Sequence, residues 1–242
     1  MEDFFVISND KFLEVLRDSF KIYLQTSARS NRKLEVLHGA IANDLHQRLG
    51  SGYQIKALGY GTGKEAKISG RYMEKAVDVS VLKNEKALGG VAVKYIMSNY
   101  SQNSNNYFEG MLGETANLRT NSKAYFQIVI LPKHVPYFKK DGTISKIETI
   151  TAHNIEKYLK LSQDDTTIYM HTPTKTLFYL INTPQIPIET VKNKTDYVDY
   201  LLGLKDFVIT VCNDKYNFKD SIVYNDYENF INKVINYIKF LD

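Results

Sequence analysis

The chain has 242 residues and a formal net charge of +4, with 43% hydrophobic and 24% charged residues. That composition suits a globular protein with one substantial core, and it excludes a disordered tail, a collagenous chain and a disulfide scaffold. No apolar run reaches the roughly 18 residues of a membrane span, and the acidic start Met1-Glu2-Asp3-Phe4-Phe5 lacks the basic region of a signal peptide.

Phe12, Leu13, Leu16, Phe20, Tyr23 and Leu24 recur at helical spacing, so a helix is expected from Asn9 to Thr26, capped by Ser8 or Asn9. Leu34, Leu37, Ile41, Leu45 and Leu49 form the stripe of a second helix from about Lys33, which Gly50-Ser51-Gly52 ends. Tyr53 to Gly59 reads as a strand. A glycine-dotted, lysine-rich segment follows to Lys75, and its start, Gly59 to Lys64, reads as a flexible loop. Ala76 to Leu82 alternates as one strand, with Val77, Val79 and Val81 on one face and Asp78, Ser80 and Leu82 on the other. Lys83 to Gly90 is expected to be a loop. Val91 to Met97 is the next strand, Asn105 to Arg119 a helix, and Ala124 to Leu131 an apolar strand closed by Pro132.

In the second half, Asp141-Gly142 marks a hairpin turn. His153 to Leu161 reads as helical, and Thr166 to Met170 as extended. Thr176 to Ile181 is expected to be extended, with a helix as the alternative. Thr195 to Leu202 is a short helix, Asp206 to Cys212 a buried strand, and Tyr227 to Phe240 a terminal helix. Cys212 is the one cysteine and lies among Val208, Ile209 and Val211, so a buried strand thiol in a reducing cytosol is expected. Interspersed strands and helices predict an α/β fold, a mixed sheet flanked by helices.

The informative stretch is residues 74–119. Asp78 sits mid-strand between valines, and Lys94 sits mid-strand between Val93 and Tyr95. A short connection predicts an antiparallel hairpin that brings the two together. A carboxylate and a lysine on one sheet face, near a helix bearing another acid, suit Mg²⁺-assisted phosphodiester hydrolysis. A silent Asp–Lys ion pair is the alternative. On the following helix, Asn105, Asn106, Glu109, Leu112, Gly113 and Ala116 recur in steps of three and four. This predicts close packing at Gly113 and Ala116, with Glu109 pointed at the strand ends. Asn103, Asn105 and Asn106 suit phosphate or base-edge contacts, or helix capping.

The order Lys75-Ala76-Val77-Asp78, Gly90-Val91-Ala92-Val93-Lys94, then Asn105-Asn106-Tyr107-Phe108-Glu109-Gly110-Met111-Leu112-Gly113 resembles the PD-(D/E)xK nuclease core. It is similar in particular to type II restriction endonucleases of the Xho type. The resemblance covers residues 74–119, under a fifth of the chain. It implies a restriction-endonuclease-like fold in a single nuclease domain, with a catalytic core at about 33–132. Residues 133–242 would complete the sheet and contribute DNA recognition. Asp78 would bind metal with the Val93 carbonyl, and Lys94 would orient or activate the attacking water. Glu109 would be a helix-borne acid at the site. The implied cofactor is Mg²⁺, with Mn²⁺ as a substitute. The implied partners are double-stranded DNA, a second copy of the chain as a homodimer, and a cognate DNA methyltransferase. The implied compartment is the cytoplasm, with no membrane partner.

One position departs from the pattern. Ala92 stands two residues before Lys94, where the family carries an acid. Glu109 is the expected replacement, with Glu114 in reserve, since the two lie about 140° apart around a helix. Glu114 with Arg119 is alternatively a structural pair. Glu35 on the second helix matches the helix acid that many such nucleases place near the metals, or pairs with Arg32 or Lys33. Gly59-Tyr60-Gly61-Thr62-Gly63-Lys64 fits neither phosphate-binding glycine pattern. With Lys64, Lys67 and Arg71 it is a candidate DNA-backbone clamp, and Arg119 a further DNA contact. The five histidines are scattered and show no zinc spacing. The rival readings are a defence or repair nuclease of the same core, and a catalytically inactive DNA-binding protein favoured by Ala92.

Overall fold

A computed structural model describes residues 6–26 and 30–242. The N-terminal pentapeptide lies outside them. Helix α1 (Asn9–Gln25) starts where the Ser8 hydroxyl accepts the Lys11 N–H. Helix α2 (Arg32–Leu49) ends at Gly50, whose φ of 83° suits glycine. Their buried stripes, Phe12, Leu16 and Phe20 against Leu37, Ile41 and Leu45, belong to one core.

Strand β1 (Gln54–Ala57) follows, then β2 (Ala66–Ser69), β3 (Glu74–Val77), β4 (Val79–Lys83) and β5 (Lys86–Tyr95). Helix α3 (Tyr100–Arg119) crosses to β6 (Ala124–Pro132). The hairpin β7 (His134–Phe138) and β8 (Ile144–Thr149) leads through a 3₁₀ turn (His153–Ile155) into α4 (Glu156–Leu161). The remainder is β9 (Lys175–Asn182), α5 (Lys194–Gly203), β10 (Thr210–Val211), β11 (Ile222–Tyr224) and α6 (Tyr227–Phe240).

The main sheet runs β1-β4-β5-β6-β9-β10, with β11 also beside β9. The β1/β4, β4/β5 and β9/β10 pairs are antiparallel; β5/β6, β6/β9 and β9/β11 are parallel. Parallel neighbours need a crossover, and α3 supplies it between β5 and β6. Val79, Val91, Val93, Phe126, Ile128 and Tyr179 pack under α1, α2, α5 and α6. Val129, Leu131, Phe178 and Leu180 pack under α3 and α4 on the other face. All nine residues of β6 are buried, as expected for a strand covered on both sides. The chain is therefore a mixed α/β protein with a central mixed sheet flanked by helices. None of its described helices is long and apolar enough to cross a membrane.

Several expected elements are corrected. The single strand Ala76 to Leu82 is two strands broken at Asp78. Val77 turns away from Val79 and Val81 and joins Ile68, Leu118 and Tyr125, because β3 pairs with β2 outside the main sheet. The expected loop before Val91 is a two-residue turn, Asn84-Glu85, with φ of 48° and 66°. Gly89 and Gly90 lie within β5. A Cβ on Gly89 would stand 2.3 Å from the Ala124 carbonyl oxygen, so close strand approach demands glycine there. Helix α3 starts five residues early because the buried Glu148 carboxylate accepts the Ser101 N–H at 3.0 Å, capping its first turn. Residues 166–170 form turns, and only Thr210–Val211 of the expected strand Asp206 to Cys212 pairs, with Val208 exposed. Cys212 is buried just beyond it.

Candidate functional site

The break at Asp78 lines a cavity of about 230 Å³ between the β3–β4 corner, β5, β6 and α3. The Asp78 carboxylate accepts the Val93 N–H at 2.7 Å, so it bridges the corner to β5. The antiparallel β4/β5 pairing then brings Asp78, Ala92, Val93 and Lys94 to one cavity wall. The Lys94 ammonium lies 5.7 Å from the Tyr107 ring centroid. Burial pushes the Tyr107 hydroxyl pKa up. In the parallel β5/β6 register Gln127 stands opposite Ala92 and donates to its carbonyl at 3.2 Å. A neutral amide therefore lies beside the position where the family pattern expects an acid.

The phase of α3 differs from expectation. Asn106, Gly110 and Glu114 face the cavity, whereas Glu109 is exposed and does not line it. Gly113 is exposed with open space around it, so it makes no close helix–sheet contact. The buried anchors that set this phase are Tyr100, Met111, Thr115 and Leu118. Glu109 instead lies within electrostatic reach of Lys157, whose pKa burial lowers and Glu109 partly restores. Glu114 accepts from the Lys75 ammonium at 2.6 Å and from the Tyr125 hydroxyl at 2.9 Å. Burial, reinforced by Glu114, pushes that hydroxyl well above its usual range.

Behind Asp78 lies a second cluster. His38 on α2, Glu65 just before β2 and Asp78 bring one ligand atom each within 4.8 Å of one another. His38 is 1% exposed, and neither ring nitrogen has a hydrogen-bond partner. Burial holds its pKa below the usual imidazole value, with Asp78 opposing. Burial raises the Glu65 pKa, Asp78 adds to the rise, and Lys75 works against it. The loop carrying Glu65 is braced on α2. A Cβ on Gly59 would stand 2.0 Å from the Glu35 carbonyl oxygen, and one on Gly39 2.5 Å from the Gly59 carbonyl oxygen.

The other sequence candidates separate. Glu35 is exposed one turn before His38, and its helix delivers the histidine rather than the acid to Asp78. Asn106 lines the cavity, but Asn105 accepts from Lys157 at 2.9 Å and Asn103 donates to the carbonyl of Asn99, the N-cap of its helix, at 3.4 Å. Lys64 is exposed on the glycine loop. Arg71 sits at the β2–β3 tip, its guanidinium 5.6 Å from the Tyr72 ring. Arg119 donates to the carbonyls of Thr166, Tyr169 and Thr172, so its guanidinium braces that loop.

Sequence reasoning missed His38 and Glu65 as partners of Asp78. The one available signal was a histidine beside Leu37 within the apolar stripe of α2, a place where a solvated imidazole does not belong. Comparison with known proteins gives no match to any family model, curated protein or solved structure.

Proposed function

We propose that the protein is a divalent-metal-dependent endonuclease that hydrolyses phosphodiester bonds of double-stranded DNA, of the type II restriction class. The observation that carries this reading is the junction at Asp78. One carboxylate faces a cavity containing Lys94 and also reaches the His38–Glu65 pair. The order α2, β1, β4, β5, α3, β6 supports it. An antiparallel hairpin bears the acid and the lysine, and a helix then crosses to a parallel strand. The hairpin and the helix after it keep the order of residues 74–119 on which the resemblance rests.

The donor set fits a divalent ion: two carboxylates and an imidazole without a partner. A divalent ion bound there neutralises charge on a phosphodiester and lowers the pKa of water. Lys94 offers an ammonium to the phosphoryl oxygens or the attacking water. The Val93 N–H holds Asp78 in its rotamer, and Asn106, which lines the cavity, would contact a phosphate or base edge. Glu114 takes the reserve role suggested for it in place of Glu109, and Lys75 and Tyr125 orient its carboxylate. A homodimer on palindromic DNA and a protecting methyltransferase belong to the same reading, as does a cytoplasmic location.

The test is incubation of the purified protein with long unmethylated duplex DNA in Mg²⁺, in Mn²⁺ and in EDTA. Discrete fragments with metal, lost in Asp78→Ala and Lys94→Ala, are expected. Normal cutting by those variants would contradict the site. One observation favours a second reading, a DNA-binding protein without cleavage. Ala92 supplies no ligand, and the nearby Glu114 carboxylate is already paired with Lys75. Salt-sensitive DNA binding without metal-dependent cleavage would select that reading.

A further inference from the structure

We propose that His38, Glu65 and Asp78 bind one divalent ion of the first transition row, of which Mn²⁺ is the test case, in preference to Mg²⁺, with the His38 imidazole as a direct ligand. The inference deepens the nuclease reading. It rests on that reading for the part Asp78 plays in hydrolysis, but its test needs no nucleic acid.

The argument starts from His38. Its ring is 1% exposed and both nitrogens lack partners. Leaving a buried polar group unpaired costs about 1–3 kcal/mol, and native proteins retain such groups mainly where something else satisfies them. Two carboxylates lie in reach of the ring, and the three ligand atoms fall within 4.8 Å of one another. Small side-chain adjustments close that spread onto metal–ligand distances of about 2.0–2.2 Å.

The donor chemistry then selects the ion. Mg²⁺ is hard, prefers oxygen and keeps several waters, so a buried imidazole nitrogen is a poor ligand for it. Imidazole suits the first-row transition ions, and carboxylates suit the harder end of that row. The Val93 N–H at 2.7 Å fixes the Asp78 carboxylate, the kind of outer contact that orients a ligand. The contact of Gly59 with the Glu35 carbonyl braces the loop that delivers Glu65. The three ligand atoms form a single group, so one ion is expected.

The experiment titrates the EDTA-stripped full chain with Mn²⁺ by electron paramagnetic resonance and with Mg²⁺ by calorimetry. One equivalent of Mn²⁺ is expected to bind about tenfold or more tightly than Mg²⁺, with nitrogen-14 modulation from a bound imidazole. His38→Gln is expected to abolish that modulation and weaken Mn²⁺ about tenfold or more, while the exposed-histidine control His153→Gln keeps both. Since His38 lies in a packed helix, Glu65→Gln serves as a second variant outside it, also expected to weaken Mn²⁺. Equal affinity for the two ions, no nitrogen signal, or unchanged Mn²⁺ binding in both variants would overturn the proposal. Mn²⁺ on the His38 nitrogen with no DNA cleavage upholds this inference and sinks the nuclease reading. Mg²⁺-dependent cleavage without nitrogen coordination does the reverse.

Discussion

Two buried polar side chains on α2, six residues apart, are treated in opposite ways. Asp44 is 0% exposed and fully engaged. It accepts from the Ile7 N–H, from Arg48 Nε and from the Tyr227 hydroxyl, each at 2.9 Å. These bonds tie the chain start, α2 and α6 into one core. His38 is buried to the same degree and has no hydrogen bond at all. Burial alone therefore does not separate structural from functional polar groups. Partner accounting separates these two: Asp44 is satisfied within the fold, whereas His38 is left without a partner beside two carboxylates, where we propose a metal ion.

Substitutions should give opposite signs at the two positions. Asp44→Ala removes the carboxylate partner of a largely buried Arg48, which keeps only its bonds to Asn232 and Ile7, and strips the partner from the Tyr227 hydroxyl. It should destabilise the protein by about 3 kcal/mol or more in denaturant unfolding, leaving metal affinity in the surviving folded fraction unchanged. Next in size is Gly39→Ala. Its Cβ would meet the Gly59 carbonyl oxygen at 2.5 Å, so either α2 or the Glu65 loop must shift. The expected cost is about 1–3 kcal/mol in the same assay, with weakened metal binding. His38→Leu removes an unpaired polar group, so the metal-free protein should gain about 1 kcal/mol while metal-induced stabilisation disappears. A large loss of stability in the metal-free His38→Leu protein would place His38 with Asp44 and erase the contrast.

The smallest effect is in pH. Burial depresses the His38 pKa in the folded state. The unfolded chain then takes up a proton near pH 6.5 that the folded chain refuses. Unfolded protons exceed folded ones, so stability is present above that value and is lost as pH falls below it. Glu65 acts with the opposite sign at lower pH, since its raised pKa lets the folded state hold a proton more tightly. Urea midpoints at pH 7.5 and 5.5, without metal, should show the wild type losing more stability than His38→Leu. Equal losses would contradict the burial argument.

The parts legible in the sequence are those set by local periodicity. Helix α6 appears at Tyr227–Phe240, as its apolar spacing requires, and β6 is the continuous apolar strand that a doubly covered position demands. The β4/β5 hairpin followed by a crossover helix was legible for the same reason. What was not legible depended on distant partners. Nothing local announces that β3 leaves the main sheet to pair with β2, so the break at Asp78 was hidden within a clean alternation. The phase of α3 depends on which of its faces the second core engages. Met111 and Thr115 decide that, and the expected small-residue contact at Gly113 plays no part. Asp78 and Lys94 were found because they lie on one hairpin. His38 and Glu65 were missed because they reach Asp78 from another helix and from the loop before β2, through packing that no local pattern announces.

The central claim is that Asp78 joins the cavity to a cation position shared with His38 and Glu65. The most direct test is a crystal of the protein soaked in Mn²⁺ and measured at the manganese absorption edge. The account predicts one anomalous peak within ligand distance of a His38 ring nitrogen and of the Glu65 and Asp78 carboxylates. A peak between Asp78 and Glu109 that leaves His38 bare, or no peak at Asp78, would contradict it.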